Sequence, residues 1–233
     1  IENEMRYFLN GGNYSLLTSR IFCNDTVNTN NLSQMKNQFS NCISLFPPKH
    51  KFNAIGYGCT SGALTIGDKE IEKIIKSHIL VDHVTSPLTA AKRALIKVCA
   101  TEIGYIAPYN SGISQAMCKE LENEGFKVVI AATFGESLDS VVGCISPESI
   151  LNALRNIGRR TYKNKLDAIF VSCTSLRCAS IIDNAEKEIG IPIISSNSAL
   201  AWDLANLSQL NTSPSGKGVL FHGQKPEENN LSL

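Results

Sequence analysis

Apolar and polar positions along this chain follow two periods that alternate. Short, mostly apolar runs at residues 52–57, 79–84, 103–107, 127–133, 167–171 and 192–195 read as buried strands. Between them the apolar positions recur at helical spacing. Ile71, Ile74, Ile75 and Ile79 stripe one helix, with Asp68 placed as its cap. Ala90, Ala91, Ala94, Leu95 and Val98 stripe the next, and Ile113, Ala116, Met117 and Leu121 a third that stops at Gly125. Ser146-Pro147-Glu148 opens a helix carrying Ile150, Leu151, Leu154 and Ile157. Two more cover residues 182–189 and 199–207. Ahead of these, residues 15–23 read as a strand, and residues 31–46 as a helix ended by Pro47-Pro48. The tail from Asn211 shows no clear pattern and is expected to be loosely ordered after Phe221.

Strand and helix in regular alternation predict an α/β fold, its parallel sheet covered on both faces. In such sheets ligands bind beyond the carboxyl ends of the strands. At that level lie Cys59-Thr60-Ser61, Thr85-Ser86, Tyr109-Asn110, Cys173-Thr174-Ser175 and Ser195-Ser196-Asn197.

Composition narrows the picture. The 233 residues are 43% apolar, which suits one large domain or two lobes with a substantial core. A net charge of +1 gives no basic footprint for nucleic acid, and no apolar run is long enough for a membrane-spanning helix. The eight cysteines form no compact disulfide framework and no metal spacing, so they read as reduced thiols of a cytoplasmic protein. The chain begins at Ile1, and a native N-terminal segment is expected to precede it.

The tripeptide Cys-Thr-Ser occurs twice, at Cys59 and at Cys173, each time after a predicted strand and before helical spacing. A thiol there meets the unpaired N–H groups and the positive end of a helix, which favours thiolate. The Thr and Ser that follow offer hydroxyls and amides to a carboxylate. Two thiols suggest one small acid held between them. Each residue also has a plain structural reading. A lone Cys is usually a small buried hydrophobe. Tyr109 could be a packed loop aromatic, Asn197 a helix cap, and Ser86 a cap for the helix after Pro87. The other six cysteines read as core or surface. His50, His78, His83 and His222 lie away from these motifs, so no Cys-His dyad is indicated, and no Gly-rich phosphate loop follows a strand.

The stretch 56–63 (Gly-Tyr-Gly-Cys-Thr-Ser-Gly-Ala), Pro108-Tyr109, the stretch 171–177 (Val-Ser-Cys-Thr-Ser-Leu-Arg) and Ser196-Asn197-Ser198-Ala199 together resemble the aspartate/glutamate racemase superfamily. The branch is similar to maleate cis-trans isomerases, arylmalonate decarboxylases and ectoine-utilisation proteins. The resemblance runs over about residues 1–207. It implies two similar flavodoxin-like lobes related by a pseudo-twofold axis, with the active site in the cleft between them. Residues 1–86 and 191–233 would form the first lobe and 87–190 the second, with the last strand and helix returning to the first. A first strand of the first lobe would precede Ile1.

The resemblance further implies catalytic roles for Cys59 and Cys173, and substrate binding by Thr60, Ser61, Tyr109, Thr174, Ser175, Asn197 and Ser86. It implies no cofactor and no metal. The partner would be a small carboxylic acid, with neither nucleic acid nor membrane involved, and the assembly a homodimer or tetramer. The expected activity is a racemase or cis-trans isomerase working through two cysteines. A malonate-type decarboxylase, which in this family needs only the second cysteine, is the alternative, as is an ectoine-utilisation protein. A non-catalytic carboxylate-binding protein is the reading from another class.

Overall fold

Two parallel sheets form where the apolar runs predict strands. The computed structural model describes residues 1–11, 13–160, 166–212 and 216–222. In the first sheet β1 (Lys51–Gly56) pairs with β2 (Leu80–Thr85), from Lys51 beside Leu80 to Gly56 beside Thr85. In the second, β3 (Glu102–Tyr109) lies between β4 (Lys127–Glu136) and β5 (Ala168–Val171), and β6 (Ile193–Ser195) extends the β5 edge. The order β4-β3-β5-β6 is parallel throughout. The helices are α1 (Glu2–Phe8), α2 (Thr29–Gln34), α3 (Phe39–Ile43), α4 (Thr60–Ile66), α5 (Asp68–His78) and α6 (Pro87–Lys97). They continue with α7 (Ser111–Asn123), α8 (Asp139–Val142), α9 (Pro147–Arg160), α10 (Ile182–Ile189) and α11 (Ser196–Leu207). The protein is thus α/β with parallel sheets, as the alternation predicts.

The core follows from the patterns. β3 and β5 are buried along nearly their whole length, and Tyr105, Ile106, Ile169 and Phe170 are fully enclosed. Helices cover them with the predicted stripes: Ile150, Leu154 and Ile157 from α9, Met117 and Leu121 from α7. Each such side chain contributes about 1.5–3 kcal/mol relative to exposure. Local chemistry starts the helices. Ser86 accepts from the Thr89 amide at 3.2 Å with Pro87 behind it, and Ser195 and Ser198 form a reciprocal capping box at α11.

Several expectations are corrected. Residues 15–23 form no strand. They line a cavity together with β1, and among the described residues no ladder joins the two. The expected 31–46 helix breaks into α2, a 3-10 turn (Met35–Gln38) and α3. Its Ser and Asn side chains compete for the backbone: Ser33 Oγ donates to the Asn30 carbonyl and Ser44 Oγ to that of Asn41. Asp68 lies inside α5, whose cap is Gly67. The strand at 193–195 does not return to the first sheet. It hydrogen-bonds to β5, because Ile193 and Ile194 complete the buried face there, while α11 packs against β1, α1 and α6. The tail after His222 lies outside the described residues.

Candidate functional site

Gly58-Cys59 leaves β1 and turns directly into α4. Cys59 is the N-cap of that helix, and its Sγ accepts from the Gly62 amide at 3.3 Å. The Ser61 hydroxyl lies 3.7 Å from the same sulfur. The Tyr57 hydroxyl donates to Met35 Sδ at 3.4 Å and occupies the space a side chain at Gly62 would fill. Gly62 is therefore required to be bare.

Cys173 follows β5 by one residue, but helix α10 starts only at Ile182, and the stretch between is turns. The expected helix end is absent at this thiol. Instead the Cys173 backbone is strained, with φ at 146°. Such a conformation costs on the order of 1–3 kcal/mol and persists only when neighbours hold it. Here the Ser172 amide donates to the Ile106 carbonyl at 2.7 Å and the Cys173 amide to Ser196 Oγ at 3.0 Å. The Ser175 amide points at Cys173 Sγ from 3.4 Å, and Tyr109 lines the same cavity and favours the anion of that sulfur. Each thiol thus has one backbone amide aimed at it and one tyrosine in the cavity with it.

Both thiols, with Tyr57, Tyr109, Ser175 and Asp139, line one cavity of about 610 Å3. The cavity continues along β1 toward residues 15–21. Burial, the largest effect on either thiol, raises the pKa of Cys59 and pushes that of Cys173 up to about 11. The expectation of resting thiolates is therefore corrected: desolvation outweighs the amide donors. Burial likewise raises Tyr57 and Tyr109, which stay protonated donors.

The expected binding residues divide into groups. Three hydroxyls are already committed as donors inside the protein: Thr60 to Ser196 Oγ (2.8 Å), Thr174 to the Gly58 carbonyl (2.9 Å) and Ser175 to Asp139 Oδ1 (2.9 Å). What they leave for a carboxylate is Ser61 and the amides of Thr60, Ser61 and Thr174, which have no partner among the described residues. Ser86 lies away from the cavity, capping α6 and donating to Asp68 Oδ1 at 2.5 Å. Asn197 is buried behind the cavity wall. Its amide donates to Glu4 Oε2 at 2.7 Å and to the Thr174 carbonyl at 3.0 Å, so it fixes the second loop.

Four residues escape the sequence reading. Ser196 accepts from both Thr60 and Cys173 and joins the two loops. Tyr57 mirrors Tyr109. Cys23 brings a third thiol to the cavity, with a pKa pushed up to about 11 by burial and by the neighbouring Cys59 and acidic groups. Asp139 brings a carboxylate. Tyr57, two residues before Cys59 at a strand end, and Ser196, inside the Ser195-Ser196-Asn197 rim segment, carried signals that could have found them. Among the described residues, no group of three or more His, Cys, Asp or Glu side chains could hold a metal.

Comparison with known proteins places this geometry. The family model for arylmalonate decarboxylase matches residues 69–221. The maleate isomerase of Nocardia farcinica (strain IFM 10152) is 23% identical over 232 residues, covering 95% of this chain and 90% of that protein. Among solved structures, a mutant of N. farcinica maleate cis-trans isomerase with a covalently bound succinylcysteine intermediate superposes with a TM-score of 0.82 at 21% identity, covering 96% of this chain and 94% of that one. The maleate isomerase Iso from Pseudomonas putida S16 gives a TM-score of 0.81 at 18% identity, covering 95% and 93%. These structures share the fold of this chain.

Proposed function

Because this chain belongs to the arylmalonate decarboxylase family, we propose that it is a cofactor-independent cis-trans isomerase of a small unsaturated carboxylic acid, with Cys59 and Cys173 as its reacting thiols. The observation that carries this reading is the pair of thiols lining one cavity, each with its own backbone amide aimed at the sulfur. The relatives named maleate isomerase support the reaction type.

Cys59 is the nucleophile. It is the less buried thiol, and Gly62 N–H and Ser61 Oγ both converge on its sulfur, so its anion is the better stabilised. The Cys59 thiol first yields its proton to solvent. Its sulfur then adds to one alkene carbon; a C–S bond forms and the π pair moves to the neighbouring carbon. The carboxylate on that carbon takes up the charge as an enolate, facing the free amides of Thr60, Ser61 or Thr174. Cys173, whose burial keeps it protonated, delivers a proton to the carbanion. The adduct rotates about what is now a single bond. Cys173 thiolate removes a proton, the π bond returns, and the C–S bond breaks to release Cys59 thiolate and the trans acid. Nothing is oxidised or reduced.

Two lobes divided near residues 86/87, with β6 in the second, would place one thiol on each side of the cleft, and α11 touches β1 of one and β6 of the other. A dimer or tetramer is the expected assembly, supported by exposed apolar side chains such as Leu80 and Ile96. A cytoplasmic setting is supported by eight free cysteines. Among the described residues, no helix is long and apolar enough to cross a membrane.

Proton NMR in D2O with maleate tests the reading. Fumarate is expected from the wild type, with turnover falling by a factor of about 10³ or more in Cys59→Ala and in Cys173→Ala. Retained turnover in both variants overturns it. Loss of CO2 from an arylmalonate, without change in the cis acid, would instead establish the decarboxylase reading that the family match supports.

A further inference from the structure

Asp139 stands in the same cavity as both thiols. Its backbone is pinned, since its amide donates to the Asp25 carbonyl at 2.8 Å and the next residue, Ser140, bonds to both carboxylate oxygens of Asp25. Its Oδ1 accepts from Ser175 Oγ, while Oδ2 has no partner among the described residues. The negative charge is felt by Cys59 and by Cys173 alike.

Among the described residues, no cation answers it. The other charged side chains on the cavity wall are Glu2 and Arg20, which face each other at 3.8 Å, with Glu2 also held by Arg6 at 3.0 Å. Among the described residues, Asp139 has no ion-pair partner. A dicarboxylate between the thiols would set one of its anionic ends against this uncompensated carboxylate in a partly dry cavity, where charges interact far more strongly than in water. A group with N–H donors would find Oδ2 waiting as an acceptor.

We propose that Asp139 is a specificity-determining residue that selects the half-amide of a cis-unsaturated dicarboxylic acid over the diacid, its carboxamide N–H donating to Oδ2. The inference rests on the isomerase reading and names its substrate class. The bonds made and broken are those already described: the thiolate adds, the neighbouring carbon takes the Cys173 proton, and the reverse steps restore the alkene. Selection here works by repulsion of the wrong end as much as by attraction of the right one.

The test compares kcat/KM for maleate and for its half-amide, maleamate, in the wild type and in Asp139→Asn, which keeps an acceptor for Ser175. The wild type is expected to favour the half-amide by about tenfold or more, and the variant to lower that ratio by about tenfold or more. A wild type that prefers the diacid, or an unchanged ratio in a folded variant, overturns the inference. A second measurement separates this from failure of the isomerase reading. Saturated succinate and succinamate cannot isomerise, yet each can shield Cys173 from iodoacetamide, read by peptide mass spectrometry. If neither alkene turns over but succinamate shields the wild type at about tenfold lower concentration than succinate, the isomerase reading fails and the selection by Asp139 stands. Equal shielding in the wild type overturns the selection, and this measurement needs no variant.

Discussion

Cys59 and Cys173 rest as thiols because burial costs an anion more than two or three donors return. For Cys173 the consequence is measurable. Below a pKa near 11 its thiolate fraction grows tenfold with each pH unit, since the deprotonated form is the minor one throughout. Its alkylation by iodoacetamide is therefore expected to accelerate by about tenfold per unit between roughly pH 7 and 10, without levelling off. Site-resolved mass spectrometry reads this directly, and a plateau near pH 8 to 9 would mark a thiol of ordinary acidity (roughly 8.5). The two thiols were legible in the sequence because a repeated Cys-Thr-Ser after an apolar run is a local pattern. Their protonation was not, because desolvation depends on what tertiary structure lays over them. The same holds for Thr60, Thr174 and Ser175. Residue type offered them to a ligand, and acceptors distant in the sequence engage their hydroxyls.

At the scale of elements, the periodic helices and the central strands were readable, since β3, β5, α9 and α10 answer to burial alone. The segments that departed from expectation depend on neighbours. Residues 15–23 alternate like a strand but lack an edge to join, and β6 joins β5 by a register that no pattern encodes. Glu186 shows how such joins are held. From α10 its carboxylate accepts from the amides of Ile193 at 2.8 Å and Val219 at 2.8 Å, tying the last strand and the C-terminal turn to one helix. Burial raises its pKa, so the folded state binds the proton more tightly than the unfolded chain. Its contribution is then fully present below the ordinary glutamate range and is lost as pH rises through the folded value. Glu186→Ala leaves two amides without an acceptor and is expected to cost about 2–4 kcal/mol, read as a lowered urea midpoint. A loss within about 0.5 kcal/mol would show that water replaces the carboxylate.

Across the whole molecule, two side chains join the loops that carry the thiols, and a third ties the second loop to α1. Ser196 links Thr60 to the Cys173 amide, Thr174 reaches the Gly58 carbonyl, and Asn197 ties the Thr174 carbonyl to Glu4. The paired architecture was visible in the repeated motif, but these ties were not, because they connect residues from 23 to 193 positions apart that only the folded chain brings together. Ser196→Ala removes the acceptor that steadies the strained Cys173 backbone. A stability loss of about 1–3 kcal/mol is expected, together with a fall in kcat that exceeds any rise in KM. An unchanged kcat with lowered stability would make Ser196 merely structural.

The ties between the two loops have a kinetic consequence. Thr60 to Ser196 and Thr174 to Gly58 span 136 and 116 positions of the chain. Contacts that distant in sequence form slowly, because the loop between them must close first. The flanking helices can form from local contacts, and the reacting pair comes together only when remote parts of the chain have met.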